Sequence, residues 1–102
     1  MILFYVPCKD AKQALKIGKT IVKEKLAGCV HVLPPGKSLY WWNGEIVEDS
    51  EAILLIKTIS SKRKKVQRRV EELHSYDVPC ILELPVQRTN SAYEKWLNSV
   101  CS

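Results

Sequence analysis

Four cysteines, two histidines and one group of carboxylates are the residues of this 102-residue chain best suited to chemistry. Thiolate and imidazole are ligands for copper and zinc, whereas carboxylates suit harder cations. The thiols Cys8, Cys29, Cys80 and Cys101 are scattered with no CxxC pair, so their spacing alone defines neither a zinc motif nor a redox dithiol. Each also reads as a small apolar residue of a core, with Cys101, next to the C-terminus, expected to be accessible. His74 closes a helix, where it can interact with the dipole and needs no metal. The carboxylates Glu45, Glu48, Asp49 and Glu51 follow the aromatic stretch "SLYWWNG", and either hold a hard cation or solvate a ribbon. No nucleophile–base–orienter arrangement and no phosphate-cradling glycine loop can be found, so a binding protein is expected, not an enzyme.

Length bounds the chain to one domain, residues 1–102. Its net charge of +5 comes largely from one run, Lys62, Arg63, Lys64, Lys65, Arg68 and Arg69. No aromatic residue is interleaved with these charges as a base-stacking platform requires, so they are read as a solvated helix face and no nucleic-acid partner is expected. The opening "MILFYVP" has no basic flank and is cut short by Cys8, Lys9 and Asp10, which fits a first strand and not a signal peptide or a membrane span. A cytoplasmic protein with free thiols follows as the expectation.

The elements that must position these groups can be read from periodicity. Asp10 and Gln13 form a capping box for a helix whose apolar positions run from Ala11 to Leu26, ending near Gly28. "CVHVL" and "KSLYWW" form an extended strand interrupted by Pro34-Pro35-Gly36, which predicts a bent edge strand. Asn43-Gly44 then signals a tight type I′ hairpin into "EIVEDSEAILLIKT". A second helix, from about Ser61 with Val66, Val70 and Leu73 on one face, stops before Pro79. "CILELPV" is the fourth strand, with Cys80 at its start, and Ser91 opens a last helix carrying Tyr93, Trp96, Leu97 and Val100.

Strand, helix, strand, strand, helix, strand is the split βαβ order, so the fold class is α+β, a ferredoxin-like sandwich with an extra C-terminal helix. Both main helices lie on one sheet face. The unbroken run Ala52 to Ile56 requires burial of the other face as well, in part by the last helix and in part by a second copy of the chain. The same plan brings the end of strand one (Cys8), the hairpin tip, the end of the second helix (His74, Tyr76) and the start of strand four (Cys80) to one edge.

The stretches "KEKLAGCVHVLPPGKSLYWWNGEIVEDSEAILLIKT", "ELHSYDVPCILELPV" and "YEKWL" resemble the CutA divalent-cation tolerance family over nearly the whole chain. The resemblance implies a homotrimer with β-ribbons pairing across subunits, binding copper or another divalent metal such as zinc and taking part in the response to metal ions. It places copper ligands on Cys8 and His74; Cys80, standing where the family commonly has glutamate, would add a soft third donor. Ser75 stands where the family commonly has proline. Tyr40, Trp41, Trp42, Tyr76 and Trp96 become interface or cleft residues. The alternative is a sensor like the PII-type nitrogen-regulatory trimers, taking a small molecule or anion between subunits.

Overall fold

In the first strand, β1 (Ile2–Cys8), every even-numbered side chain is buried and every odd one half-exposed. A strand turns successive side chains to opposite faces, so one face of this sheet meets a core and the other does not. The same parity governs β3 (Glu45–Thr58), where Ala52, Leu54, Ile56 and Thr58 are buried. The computed structural model describes residues 1–101.

Two helices close the core over that face. Helix α1 (Ala11–Lys23) contributes Ala14, Ile17, Gly18 and Ile21, and α2 (Arg63–Leu73), entered through a 3-10 turn at Ser60–Lys62, contributes Val66 and Val70. The expected capping box is present: Gln13 N–H donates to Asp10 Oδ1 at 2.8 Å, and Lys9 N–H donates to Gln13 Oε1 at 2.9 Å. The helix nevertheless ends at Lys23, before Gly28, and Lys25 takes the left-handed conformation at φ +59°. Gly28 serves a different purpose, because a Cβ there would lie 2.6 Å from Leu97 Cδ1 and 2.7 Å from Val100 Cγ2. It is the point where α3 (Ser91–Cys101) lies against the backbone leading into β2 (Cys29–Trp42).

With β4 at Leu82–Pro85, the sheet is antiparallel in the order β2-β3-β1-β4, as the ferredoxin-like plan requires. β2 is one bent strand whose register shifts between Leu33 and Gly36, where the two prolines fall. Asn43 and Gly44 take φ of +50° and +78°, the signature of the type I′ turn. β4 is shorter than expected, Leu82–Pro85, and Cys80 lies in the irregular segment before it.

Two expectations about placement need correction. β1 ends opposite Ala52, so the part of the β2–β3 hairpin from Gly36 to Glu51 has no third strand beside it. The tip at Asn43-Gly44 projects about 25 Å past the edge that holds Cys8, at about 3.3 Å per residue, and does not share it. Cys101 is fully buried, not accessible, because α3 turns it and Leu97 inward. Within the protomer the helix-side half of the Ala52 to Ile56 run is fully buried, while Ile53 and Leu55 face the open side and are half-buried, the face for which further cover was expected.

Candidate functional site: an acidic cleft beside the ribbon

Parity across the hairpin sorts the ribbon's side chains into two sets. Tyr40 is opposite Val47 and Trp42 opposite Glu45, while Leu39 faces Glu48 and Trp41 faces Ile46. The first set continues the open face of the sheet, and the segment after α2 folds up beside it. Between them lies a cleft of about 620 Å³, walled by Tyr40, Trp42 and Val47 on one side and Tyr76, Val78 and Cys80 on the other, with Pro7 between. Asp49, Glu51 and Asp77 supply its charge, and no lysine, arginine or histidine lines it.

Hydrogen bonds fix the walls. Tyr40 donates its hydroxyl to Asp49 Oδ2 at 2.6 Å, and Tyr76 donates to Glu51 Oε2 at 2.8 Å. The bond to Asp49 raises the Tyr40 phenol above its usual pKa; burial, then the bond to Glu51, raises that of Tyr76. In both, a neighbouring carboxylate adds to the rise by penalising the phenolate. Gln13 of α1 donates from Nε2 to Ser75 Oγ, tying the segment to the helix layer.

His74 is the hinge pin of this arrangement. Its Nε2 lies 2.8 Å from the Pro7 carbonyl, and the Tyr76 backbone N–H donates to its Nδ1 at 3.2 Å. A carbonyl only accepts and an amide N–H only donates, so the proton is on Nε2 and both ring nitrogens are engaged. The ring also packs against Tyr76, with centroids 4.6 Å apart. The proline expected after this histidine is thus replaced by a serine that is itself hydrogen-bonded.

The three residues expected as metal ligands are distributed as follows. Cys8 is fully buried, its thiol 3.6 Å from the Val6 carbonyl, and burial followed by the charge of Glu51 pushes its pKa up to about 11. His74 has no lone pair left, whereas Cys80 is exposed in the cleft wall. Among the described residues, no group of three or more His, Cys, Asp or Glu side chains is placed to hold a metal ion. Cys8 and His74 therefore do not fit a preformed copper centre, since a ligand must present a free lone pair and a thiol must lose its proton.

Of the aromatic residues singled out from sequence, Tyr40, Trp42 and Tyr76 line the cleft. Trp41 lies on the opposite face of the ribbon, and Trp96 belongs to α3, where it stacks at 5.5 Å from Tyr93. Sequence reasoning missed Asp49 and Glu51 as partners of tyrosines. The turn type held the signal: with Asn43-Gly44 as the two turn residues, 40 and 42 must share a face with 45, 47, 49 and 51.

An antiparallel sheet in ferredoxin-like order, two helices on one face, a projecting ribbon and a lateral cleft define an α+β protomer of the ferredoxin-like class. The profile of the family described as CutA1 divalent ion tolerance protein matches residues 2–100. The divalent-cation tolerance protein CutA of Thermus thermophilus is 42% identical over 97 residues, covering 95% of this chain and 92% of the relative. Among solved structures, a point variant of CutA1 from Pyrococcus horikoshii superposes with a TM-score of 0.96 at 36% identity, covering 100% of this chain and 99% of that one. A CutA of Archaeoglobus fulgidus described as periplasmic gives 0.96 at 32% identity, covering 100% of both chains. This chain belongs to the CutA1 divalent ion tolerance family.

Proposed function

We propose that the protein is a homotrimeric binding protein of the response to metal ions, taking divalent cations, copper among them, at the acidic cleft. The observation that carries this reading is the cleft's charge: three carboxylates and a thiol with no cationic side chain, in a chain of net charge +5. The tolerance phenotype named for its relatives points the same way. Cys80 is the expected soft donor, with Asp49, Glu51 and Asp77 attracting the ion. Cys8 and His74 would serve only after giving up their present bonds, so they are proposed as supports of the cleft wall, not ligands.

The trimer rests on the open sheet face. Leu33, Leu82 and Leu84 are exposed there, and Leu39, Trp41 and Ile46 are exposed on the other face of the ribbon, apolar surface that neighbouring copies would cover. A closed ring of copies covers it without leaving a free edge. No helix among the described residues is long and apolar enough to cross a membrane. Cytoplasmic residence is part of the proposal, supported by four free cysteines. An anion or nucleotide sensor is not favoured, because the cleft repels such ligands.

Equilibrium dialysis of the reduced, metal-free protein against buffered Cu(I), Cu(II) and Zn(II) tests the reading. Saturable uptake is expected in the wild type, weakened about tenfold or more in Cys80→Ser and retained in a folded Cys8→Ser, His74→Ala variant. Absence of saturable uptake for every metal would sink it.

A further inference from the structure

The cleft has more apolar wall than a hydrated metal ion can use. Tyr40, Trp42 and Tyr76 bring three aromatic rings to a cavity of about 620 Å³, a volume typical of an organic-ligand pocket. An ion held by Asp49 or Glu51 through its water shell would leave these rings idle. The charged groups of the cleft are all acceptors, and both phenols have already given their protons to carboxylates. Whatever fills the space must therefore bring positive charge and N–H donors, on a body with enough apolar length to lie along the rings.

Charge elsewhere on the molecule is divided by face. Lys12, Lys16, Lys19 and Lys23 lie along α1, and Lys64, Lys65 and Arg68 along α2, all on the helix layer. The open side, with its ribbon, carries Glu45, Asp49 and Glu51. The helix layer therefore carries an excess of positive charge, whereas the open face mixes these carboxylates with Lys57, and the charge that selects a cation is that of the cleft lining itself.

We infer that the cleft binds an aliphatic polyamine, its protonated amines paired with Asp49, Glu51 and Asp77 and its methylene chain laid against Tyr40, Trp42 and Tyr76. Ammonium groups over aromatic faces gain from the ring quadrupole, and each amine N–H has a carboxylate to meet. A bare divalent ion lacks the apolar body, and a neutral alkyl chain lacks the charge. The inference rests on the reading of the cleft as a cation site, and it adds the chemical class of an occupant.

Spermidine titrated into the assembled protein by calorimetry, in chelator-containing buffer, tests it without metal. Saturable binding is expected, with amide shifts at Tyr76, Asp77 and Val78 in NMR spectra. Asp49→Asn, Glu51→Gln should weaken it by at least about tenfold, the size of a single charge-assisted hydrogen bond, since two carboxylate charges are removed. That variant also loosens the two tyrosines, so Val78→Lys gives a second arm: the position is 73% exposed, and the new ammonium should compete with the ligand while the fold is unchanged. The inference is overturned if magnesium at matched ionic strength displaces spermidine as well as spermidine displaces itself. It is equally overturned if Val78→Lys binds like wild type, or if the assembled protein shows no saturable binding because a neighbouring copy fills the cleft. Spermidine binding without metal uptake would leave this inference standing and the metal reading fallen; the reverse result would do the opposite.

Discussion

His74 shows how one side chain can be placed by its neighbours and lose the chemistry its type suggests. Its two ring nitrogens join the end of β1, through Pro7, to the segment that forms the cleft wall, through Tyr76. Tyr76 then reaches Glu51 on the ribbon, so three separate parts of the chain are held through adjacent bonds. His74→Ala is expected to destabilise the fold by about 1–3 kcal/mol, the cost of leaving buried partners unsatisfied, with exchange protection lost first at Tyr76. Cys8 makes a pH prediction. Its thiol pKa rises from 9.0 to about 11 on folding, mainly through burial. The native state keeps the proton that the unfolded chain releases, so its contribution is intact below about pH 9 and is lost as pH climbs through about 11. The loss is on the order of 2–3 kcal/mol. Urea unfolding at pH 8 and pH 11 should show it, with a smaller pH difference in Cys8→Ala. An equal difference in that variant would assign the effect to other groups.

Among the elements, α3 is held where its side chains meet the backbone at Gly28. Its buried residues are Leu97 and Cys101, and Leu97 and Val100 press on the bare Cα of Gly28. Gly28→Ala puts a methyl group where there is no room, and overpacking of this kind costs about 1–3 kcal/mol. Gly36→Ala is the matched control, since nothing lies within 4 Å of the added Cβ. Thermal melts should therefore separate the two, with Gly28→Ala lowering Tm and Gly36→Ala leaving it close to wild type. A Gly28→Ala protein as stable as its parent would mean that α3 can slide without loss.

At the scale of the molecule, the protomer is long for its length of chain, with principal extents of 45 × 25 × 22 Å. The projecting ribbon accounts for this shape, and a two-stranded ribbon with no third strand is marginal by itself. Leu39 and Trp41 are 69% and 71% exposed on its outer face, which a neighbouring copy is expected to cover. Leu84→Glu on the open sheet face should leave the helix-side core intact and shift the assembly toward monomer. Sedimentation velocity reads this directly, and an unchanged sedimentation coefficient would remove this face from the interface.

The sequence by itself determined the local elements. The capping box at Asp10, the first strand, the Asn43-Gly44 turn and the stop before Pro79 each depend on a few adjacent residues, and each appears in the structure. Helix and strand order then determined the sheet, because short right-handed connections leave few arrangements. What only the tertiary structure decided was which groups still have chemistry to offer. Cys8 and His74 have the right atoms for a metal, but burial keeps the thiol protonated and two backbone partners occupy the imidazole. Asp49 and Glu51 looked like solvating charges, yet they fasten tyrosines and set the field of a cleft. Periodicity is carried by neighbours along the chain, whereas pKa, tautomer and cavity depend on atoms brought together from distant positions.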